Sequence, residues 1–215
     1  MNHPDRDSTV DAHPVFAAVY DFQGRWREER FMRKHRQYLA EDLHGSVLDI
    51  GPGTGDMFPY FKKAAERDRS LQFHGIEPDP HMRKRAKKRA TETGISIDLR
   101  SGRAESLPYE DKRFDVVLAC SVLCTVSDVE QTLKEIHRVL KPSGELRFCE
   151  HVRSDGLIGR FQDTINPLWK RFTAGCHLNR QTEKTMRKSP LEIAEIDYID
   201  SRFQPIKRGK TIRRN

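Results

Sequence analysis

The stretch Val47-Leu48-Asp49-Ile50-Gly51-Pro52-Gly53-Thr54-Gly55 constrains this chain more than any other. A short apolar run carries an acidic residue near its end, and glycines then stand at every second position. A buried strand that stops at Asp49 and turns sharply accounts for the pattern, because glycine tolerates positive φ and lets a ligand approach the backbone. Such a turn occurs in many folds, so the next strand decides its meaning. Residues 71–76 end in Glu77, about twenty residues past the glycines, where a carboxylate can take the two ribose hydroxyls of an adenosine ligand. No Lys follows Gly55, and Asp56 would repel a phosphate. The loop therefore predicts a nucleoside ligand without a pyrophosphate.

At 215 residues the chain has the size of a single domain with a real core. It contains no apolar run of about 20 residues and no apolar signal-peptide core, so a soluble, cytoplasmic protein is expected. Cys120, Cys124, Cys149 and Cys176 form no C-x-x-C pair and have no matching His spacing, which indicates neither a zinc site nor a disulfide framework. Reduced thiols in a reducing compartment are the expectation. The formal net charge of +7 invites a nucleic-acid partner. Its basic residues concentrate in 25–36, 83–89 and 207–214; the first two runs read as solvated helix faces, and the tail lacks interleaved aromatics. Nucleic acid is kept as an alternative only.

Along the chain, residues 1–12 read as a frayed polar tail and 13–45 as a helical cap. Phe16, Val19 and Tyr20 share helical spacing, as do Phe31, His35 and Leu39. Their aromatics either pack the cap onto the domain or bring Tyr20 or Trp26 to the ligand. Residues 56–67 read as a crossover helix, and 81–93 as a second, carrying Met82 on its first turn and ending at Gly94. Residues 95–99 alternate as a strand, and 114–119 form the near-continuous apolar run of a central parallel strand. Residues 129–140 form an amphipathic helix that Lys141-Pro142-Ser143-Gly144 terminates, and 145–149 form a fifth strand delivering Glu150 and His151. Strands alternating with helices make an α/β, Rossmann-like, doubly wound and mostly parallel sheet with helices on both faces. Ligands of such sheets lie beyond the carboxyl ends of the strands.

The motifs Asp49-x-Gly51-x-Gly53-x-Gly55, Glu77-Pro78, Ala104-Glu105-x-Leu107-Pro108, Phe114-Asp115-Val116-Val117 and Leu140-Lys141-Pro142-x-Gly144 together resemble the class I S-adenosylmethionine-dependent methyltransferases. The resemblance implies a seven-stranded sheet with its last strand antiparallel, for which 193–199 and 210–213 are the candidate final pair. A narrower resemblance rests on Val122-Leu123-Cys124-x-Val126, Glu150-His151-Val152, Pro167-x-Trp169 and Gly175-Cys176-x-Leu178-x-Arg180. These are similar to the methyltransferase-like proteins that methylate small thiols. One domain over 13–215 follows, with a cofactor-binding core at 46–150, an acceptor lid at 151–190 and the closing strands at 191–215.

The resemblance implies roles. Gly51, Gly53 and Gly55 let the backbone approach S-adenosylmethionine, Pro52 stiffens the loop, and Asp49 helps hold the amino-acid end. Glu77 binds the ribose hydroxyls, Pro78 and Met82 lie against the adenine face, and Ala104 and Glu105 meet its edge. Family members often carry Asp where Arg103 stands, so Arg103 is assigned no adenine contact. Cys120, Ser121 and Val122 line the wall beside the sulfonium. His151 could take a proton from a thiol, or with Glu150 could fix the strand end or bind the ligand's amino group. The apolar residues of 161–172 form either the acceptor lid or plain core, and Cys176 reads as a small packed residue. A nicotinamide-dependent oxidoreductase shares strand, turn and acid but usually spaces its glycines as G-x-G-x-x-G. The remaining alternatives are an O- or N-methyltransferase acting on a small molecule or lipid headgroup, and a non-catalytic adenosyl-ligand or RNA-binding module. Neither the acceptor nor the oligomeric state is legible.

Overall fold

The computed structural model describes residues 31–214 apart from 174 and 200–203. The frayed tail, the helix expected around Phe16 to Tyr20, and Trp26 lie outside the described residues. The chain runs α1 (Arg33–Leu39), β1 (Ser46–Ile50), α2 (Phe58–Arg67), β2 (Gln72–Ile76), α3 (Pro80–Thr93), β3 (Ile97–Arg100) and β4 (Phe114–Cys120), then α4 (Val129–Val139), β5 (Leu140–His151), α5 (Gly156–Phe172), α6 (Thr182–Lys188), β6 (Leu191–Ile199) and β7 (Ile206–Arg213). The strands form one seven-stranded sheet in the order β3-β2-β1-β4-β5-β7-β6. Pairing is parallel from β3 to β5, and β7 runs antiparallel to both β5 and β6.

Alternation along the strands divides the core between the two faces. Leu48, Ile50, Val117, Leu146 and Phe148 pack with Leu133, Ile136 and Val139 of α4. Val47, Val116, Leu118 and Cys149 pack with Leu39 of α1, Phe58 and Phe61 of α2 and Ala86 of α3. Full burial of a Leu, Ile or Phe contributes about 1.5–3 kcal/mol, so these two clusters carry the doubly wound arrangement. Arg147 is the exception inside the apolar set. It is 2% exposed and donates to the carbonyls of Leu39 (3.2 Å), Glu41 and Asp42 (3.3 Å), which ties the end of α1 to β5.

Several boundaries differ from those read in the sequence. Lys141-Pro142-Ser143-Gly144 does not end a helix in a loop; β5 begins at Leu140, which pairs with Phe114, and a register shift between Phe114 and Val116 absorbs the extra residues. Lys141 Nζ holds that start by donating to Asp115 Oδ2 at 2.7 Å. The first crossover helix starts at Phe58 rather than residue 56, because the glycine turn extends through Met57. β3 is displaced to Ile97–Arg100, and β7 starts at Ile206, where Lys207 and Arg208 pair with Glu150 and Cys149. Phe31 shares the spacing of His35 and Leu39 but is exposed, while those two are buried.

Candidate active site

The glycine turn closes the carboxyl end of β1 with Gly51, Gly53 and Gly55 all at positive φ (62°, 58° and 87°). Gly51 has a second reason to be glycine: a Cβ there would stand 2.9 Å from Cγ2 of Val122. At Gly53 a Cβ would meet nothing within 4 Å, so this turn presents bare backbone to open space. Its N–H points the other way and donates to Glu77 Oε2 at 2.9 Å, while Asp79 N–H donates to Glu77 Oε1 at 2.9 Å. Glu77 thus pins the turn to the start of α3, and Arg83 braces it from outside by donating to the Glu77 carbonyl at 2.7 Å. Burial pushes the Glu77 carboxyl up to about 7, against the pull of those two N–H groups. Each of its oxygens accepts one N–H and keeps acceptor capacity for a hydroxyl.

Asp49 is 1% exposed and its Oδ2 has no hydrogen-bond partner. Burial, then the nearby Cys120 thiol, raise its carboxyl well above the usual range, and Arg36 works against them. Arg36 in turn pairs with Asp56 at 3.0 Å, and Arg89 of α3 reaches the same carboxylate. Asp56, expected only to repel phosphate, therefore joins α1, the glycine turn and α3. Cys120 ends β4 in register with Cys149; the neighbouring Cys149 thiol and the Arg36 guanidinium lower the Cys120 thiol while burial opposes them. The same contact raises Cys149.

Beyond β4 the chain reverses at Ser121, whose φ of 60° is strained for a residue with a Cβ, and Ser121 N–H donates to the Cys149 carbonyl at 2.8 Å. Glu150 holds the following loop. Its Oε1 accepts from Val122 N–H (2.8 Å) and Leu123 N–H (3.0 Å), and its Oε2 from Cys124 N–H (3.2 Å). Burial raises this carboxyl to about 8 even though the backbone donors lower it. Of the two roles read for Glu150-His151, Glu150 thus has the positioning one. His151 closes β5 opposite Ile206 and is half-buried. Strand alternation puts it on the face of Cys149 and Arg147, away from the loop that Glu150 anchors.

On the adenine side, Asp79 caps α3 by accepting from His81 N–H (2.7 Å) and Met82 N–H (3.0 Å), which fixes Met82 beside Pro78. Ala104 and Met82 are buried. Glu105 directs its carboxylate to the start of α4, accepting from Ser127 N–H at 2.8 Å, and pairs with Arg103 at 3.7 Å. On the acceptor side, Gln162 of α5 accepts from Ser154 N–H at 2.7 Å and Asn166 from Leu178 N–H at 2.9 Å, so α5 is moored through polar side chains. Much of its apolar surface is not core: Leu157, Phe161, Leu168 and Phe172 are 80, 54, 64 and 70% exposed, while Ile165 and Trp169 are half-buried. The Cys176 sulfur stands 3.7 Å from that of Cys124.

Sequence reasoning found the glycines and Glu77 but not Arg36, Arg89, Arg147 or the three-fold grip of Glu150, whose partners are distant in the chain. The residues present fit an adenosyl amino acid. The buried, unpartnered oxygen of Asp49 suits an ammonium, the open side of Gly53 leaves room for the ligand, and Glu77 retains acceptor capacity for a ribose.

The family profile described as a methyltransferase domain matches residues 48–148. The chain is 32% identical over 195 residues to the human thiol S-methyltransferase TMT1B, covering 83% of this chain and 74% of that one. It is 33% identical over 149 residues to a demethylmenaquinone methyltransferase of Lactiplantibacillus plantarum, covering 68% and 57% of the two chains. A crystal structure from Thermotoga maritima, described as an S-adenosylmethionine-dependent methyltransferase and possible histamine N-methyltransferase, superposes with a TM-score of 0.65 at 25% identity, over 94% of this chain and all of that one. Fold, cradle and relatives agree: the chain belongs to the class I S-adenosylmethionine-dependent methyltransferases. Within that class it is similar to the rat and human proteins named thiol S-methyltransferase.

Proposed function

We propose that this methyltransferase acts on a small thiol, with His151 as the group that accepts the thiol proton. The observation that carries the reading is the extent of the likeness to the thiol S-methyltransferase, which covers 83% of this chain and so runs well outside the matched domain at 48–148 and through α5. The demethylmenaquinone methyltransferase matches over a shorter stretch of 149 residues.

Bound S-adenosylmethionine supplies an electrophilic methyl group on a sulfonium, ready for in-line displacement. The protein's task is then alignment, which alone can contribute about 7–11 kcal/mol. Glu77 and the glycine turn fix the ribose end and Asp49 the ammonium. Val122, pinned through Glu150 and packed on Gly51, sets the wall along which an acceptor approaches. A thiol has a reference pKa of about 8.5 and reacts as thiolate, so one neutral imidazole suffices to take its proton. In this reading a ring nitrogen of His151 does so.

The test is methyl transfer from labelled S-adenosylmethionine to a panel of thiols, amines, phenols and quinols, with Glu77→Ala as the cofactor-binding control. Thiol-only turnover that is lost in the control is the expected result. His151→Ala should lower thiol turnover about 10²-fold near neutral pH and recover as pH passes the acceptor's own pKa. Labelling of phenols or quinols but not thiols would overturn the thiol acceptor. Full thiol turnover in His151→Ala would remove His151 from proton transfer.

A further inference from the structure

Two segments far apart in the chain bring a pair of thiols into contact. Cys124 belongs to the loop gripped by Glu150, and Cys176 follows α5, 52 residues later, with the sulfurs 3.7 Å apart. The main chains are tied at the same point by His177 N–H, which donates to the Cys124 carbonyl at 2.8 Å. We infer that Cys124 and Cys176 form a reversible disulfide that locks the segment after α5 onto the wall of the acceptor site. The proposal goes beyond the methyl transfer and does not depend on the acceptor being a thiol.

A disulfide bond is about 2.05 Å long, so the sulfurs, now 3.7 Å apart, must close by about 1.6 Å, a movement within reach of side-chain rotation. Access differs between the two. Cys176 is half-buried and reachable, whereas Cys124 is 1% exposed. Arg180 donates to the Val126 carbonyl and lies close to both thiols, and its buried Nε has no hydrogen-bond partner. A thiolate formed at Cys176 would meet that cation, whereas the Cys176 contact, burial and the nearby Glu150 hold the Cys124 thiol up, so Cys176 is the thiol that reacts first. The other pair, Cys120 and Cys149, likewise joins a half-buried thiol to a buried one, but it lies on neighbouring parallel strands already held in register, where a bond would restrain no further segment.

The co-reactant is a small-molecule disulfide. The Cys176 thiolate attacks one of its sulfurs and expels a thiolate, which takes up the proton Cys176 has lost. The Cys124 thiolate then attacks the Cys176 sulfur of the mixed disulfide, and the second small thiol leaves with the Cys124 proton. Two cysteine thiols are oxidised and one disulfide is reduced to two thiols. The new bond would join the loop at 122–124 to a segment that Asn166 already attaches to α5. Oxidation would thereby restrain the lid without touching the glycine turn or Glu77.

The test treats the full chain with oxidised glutathione and maps non-reduced peptides by mass spectrometry. The expected product is a peptide pair joining Cys124 to Cys176, about 2 Da lighter than the sum of its thiol forms and released by dithiothreitol. Hydrogen exchange around Cys176 and along α5 should slow, and kcat should fall about tenfold with S-adenosylhomocysteine affinity unchanged, as expected when lid motion limits turnover. Cys176→Ser should make turnover indifferent to the oxidant. A lasting glutathione adduct on Cys176 without the internal bond, a bond between Cys120 and Cys149, or a Cys124–Cys176 bond with unchanged exchange and turnover would each overturn the proposal. The wild-type peptide map stands even where the serine variant fails to fold.

Discussion

At the glycine turn, backbone donors and buried carboxylates complete one another: Gly53 and Asp79 on Glu77, and Val122, Leu123 and Cys124 on Glu150. Along α5 the reverse holds, because Leu157, Phe161, Leu168 and Phe172 turn toward water and the helix is moored by Gln162 and Asn166. One region is finished by its own chain, and the other presents apolar surface that its described neighbours do not cover. The difference separates two jobs. A cofactor common to a whole class can be met by a rigid cradle held by its own backbone donors, whereas the acceptor differs from one methyltransferase to the next and can be met by surface that varies.

The sharpest way to break this contrast is at Glu150. Glu150→Ala leaves three buried N–H groups without an acceptor, at about 1–3 kcal/mol each. Part of that cost is offset, because burial already disfavours the ionised carboxylate. A net loss near 3 kcal/mol in urea unfolding is expected. A variant as stable as the wild type would mean that the loop is held by something other than Glu150. Next in size is Glu77→Gln, which keeps the shape but sets an amide NH2 against one of two backbone donors. Calorimetry should find S-adenosylhomocysteine bound about 10–100-fold more weakly, a cost of about 1.4–2.8 kcal/mol.

The cofactor edge was legible in the sequence because its determinants are local. Positive φ at Gly51, Gly53 and Gly55 and an acid ending the next strand depend on near neighbours, and the fold class followed from the alternation of apolar runs. Legibility failed wherever distant pairing decided. Leu140 extends β5 because Phe114 lies beside it, and β7 starts early because Lys207 and Arg208 find register with Glu150 and Cys149. Glu150 and its loop are separated by 26–28 residues, and Cys124 and Cys176 by 52. The apolar spacing of α5 marks an amphipathic helix, but periodicity alone does not tell a buried stripe from a bare one.

Titration sharpens the same contrast with two opposite slopes. Burial raises the folded-state carboxyls of Glu77 and Glu150 from 4.5 to about 7 and about 8. The folded chain therefore holds protons that the unfolded chain has released, and stability of the ligand-free protein should fall as pH rises from about 4.5 toward 8, levelling above it. Ligand binding should move the other way. If a ribose hydroxyl donates to the ionised form of Glu77, S-adenosylhomocysteine affinity should rise as pH climbs through about 7 and level off about one unit above it. Unfolding and binding isotherms across this range measure both. An affinity flat over that range would mean that Glu77 is ionised throughout.

The smallest expected effect lies on α5. Phe172 is 70% and Leu168 64% exposed, so Phe172→Ser and Leu168→Ser remove little buried surface and should shift unfolding by less than about 0.5 kcal/mol. Cofactor affinity should not change, because none of the contacts around Glu77 or Asp49 involves this helix. If the bare face meets the acceptor, losing one apolar side chain should raise the acceptor KM several-fold, in line with about 1 kcal/mol of contact, with kcat preserved. A loss of stability above about 1 kcal/mol would instead mean that another part of the chain packs on α5, since an exposed side chain cannot cost that much on removal. In that case the two regions would differ in what covers them, not in whether they are covered.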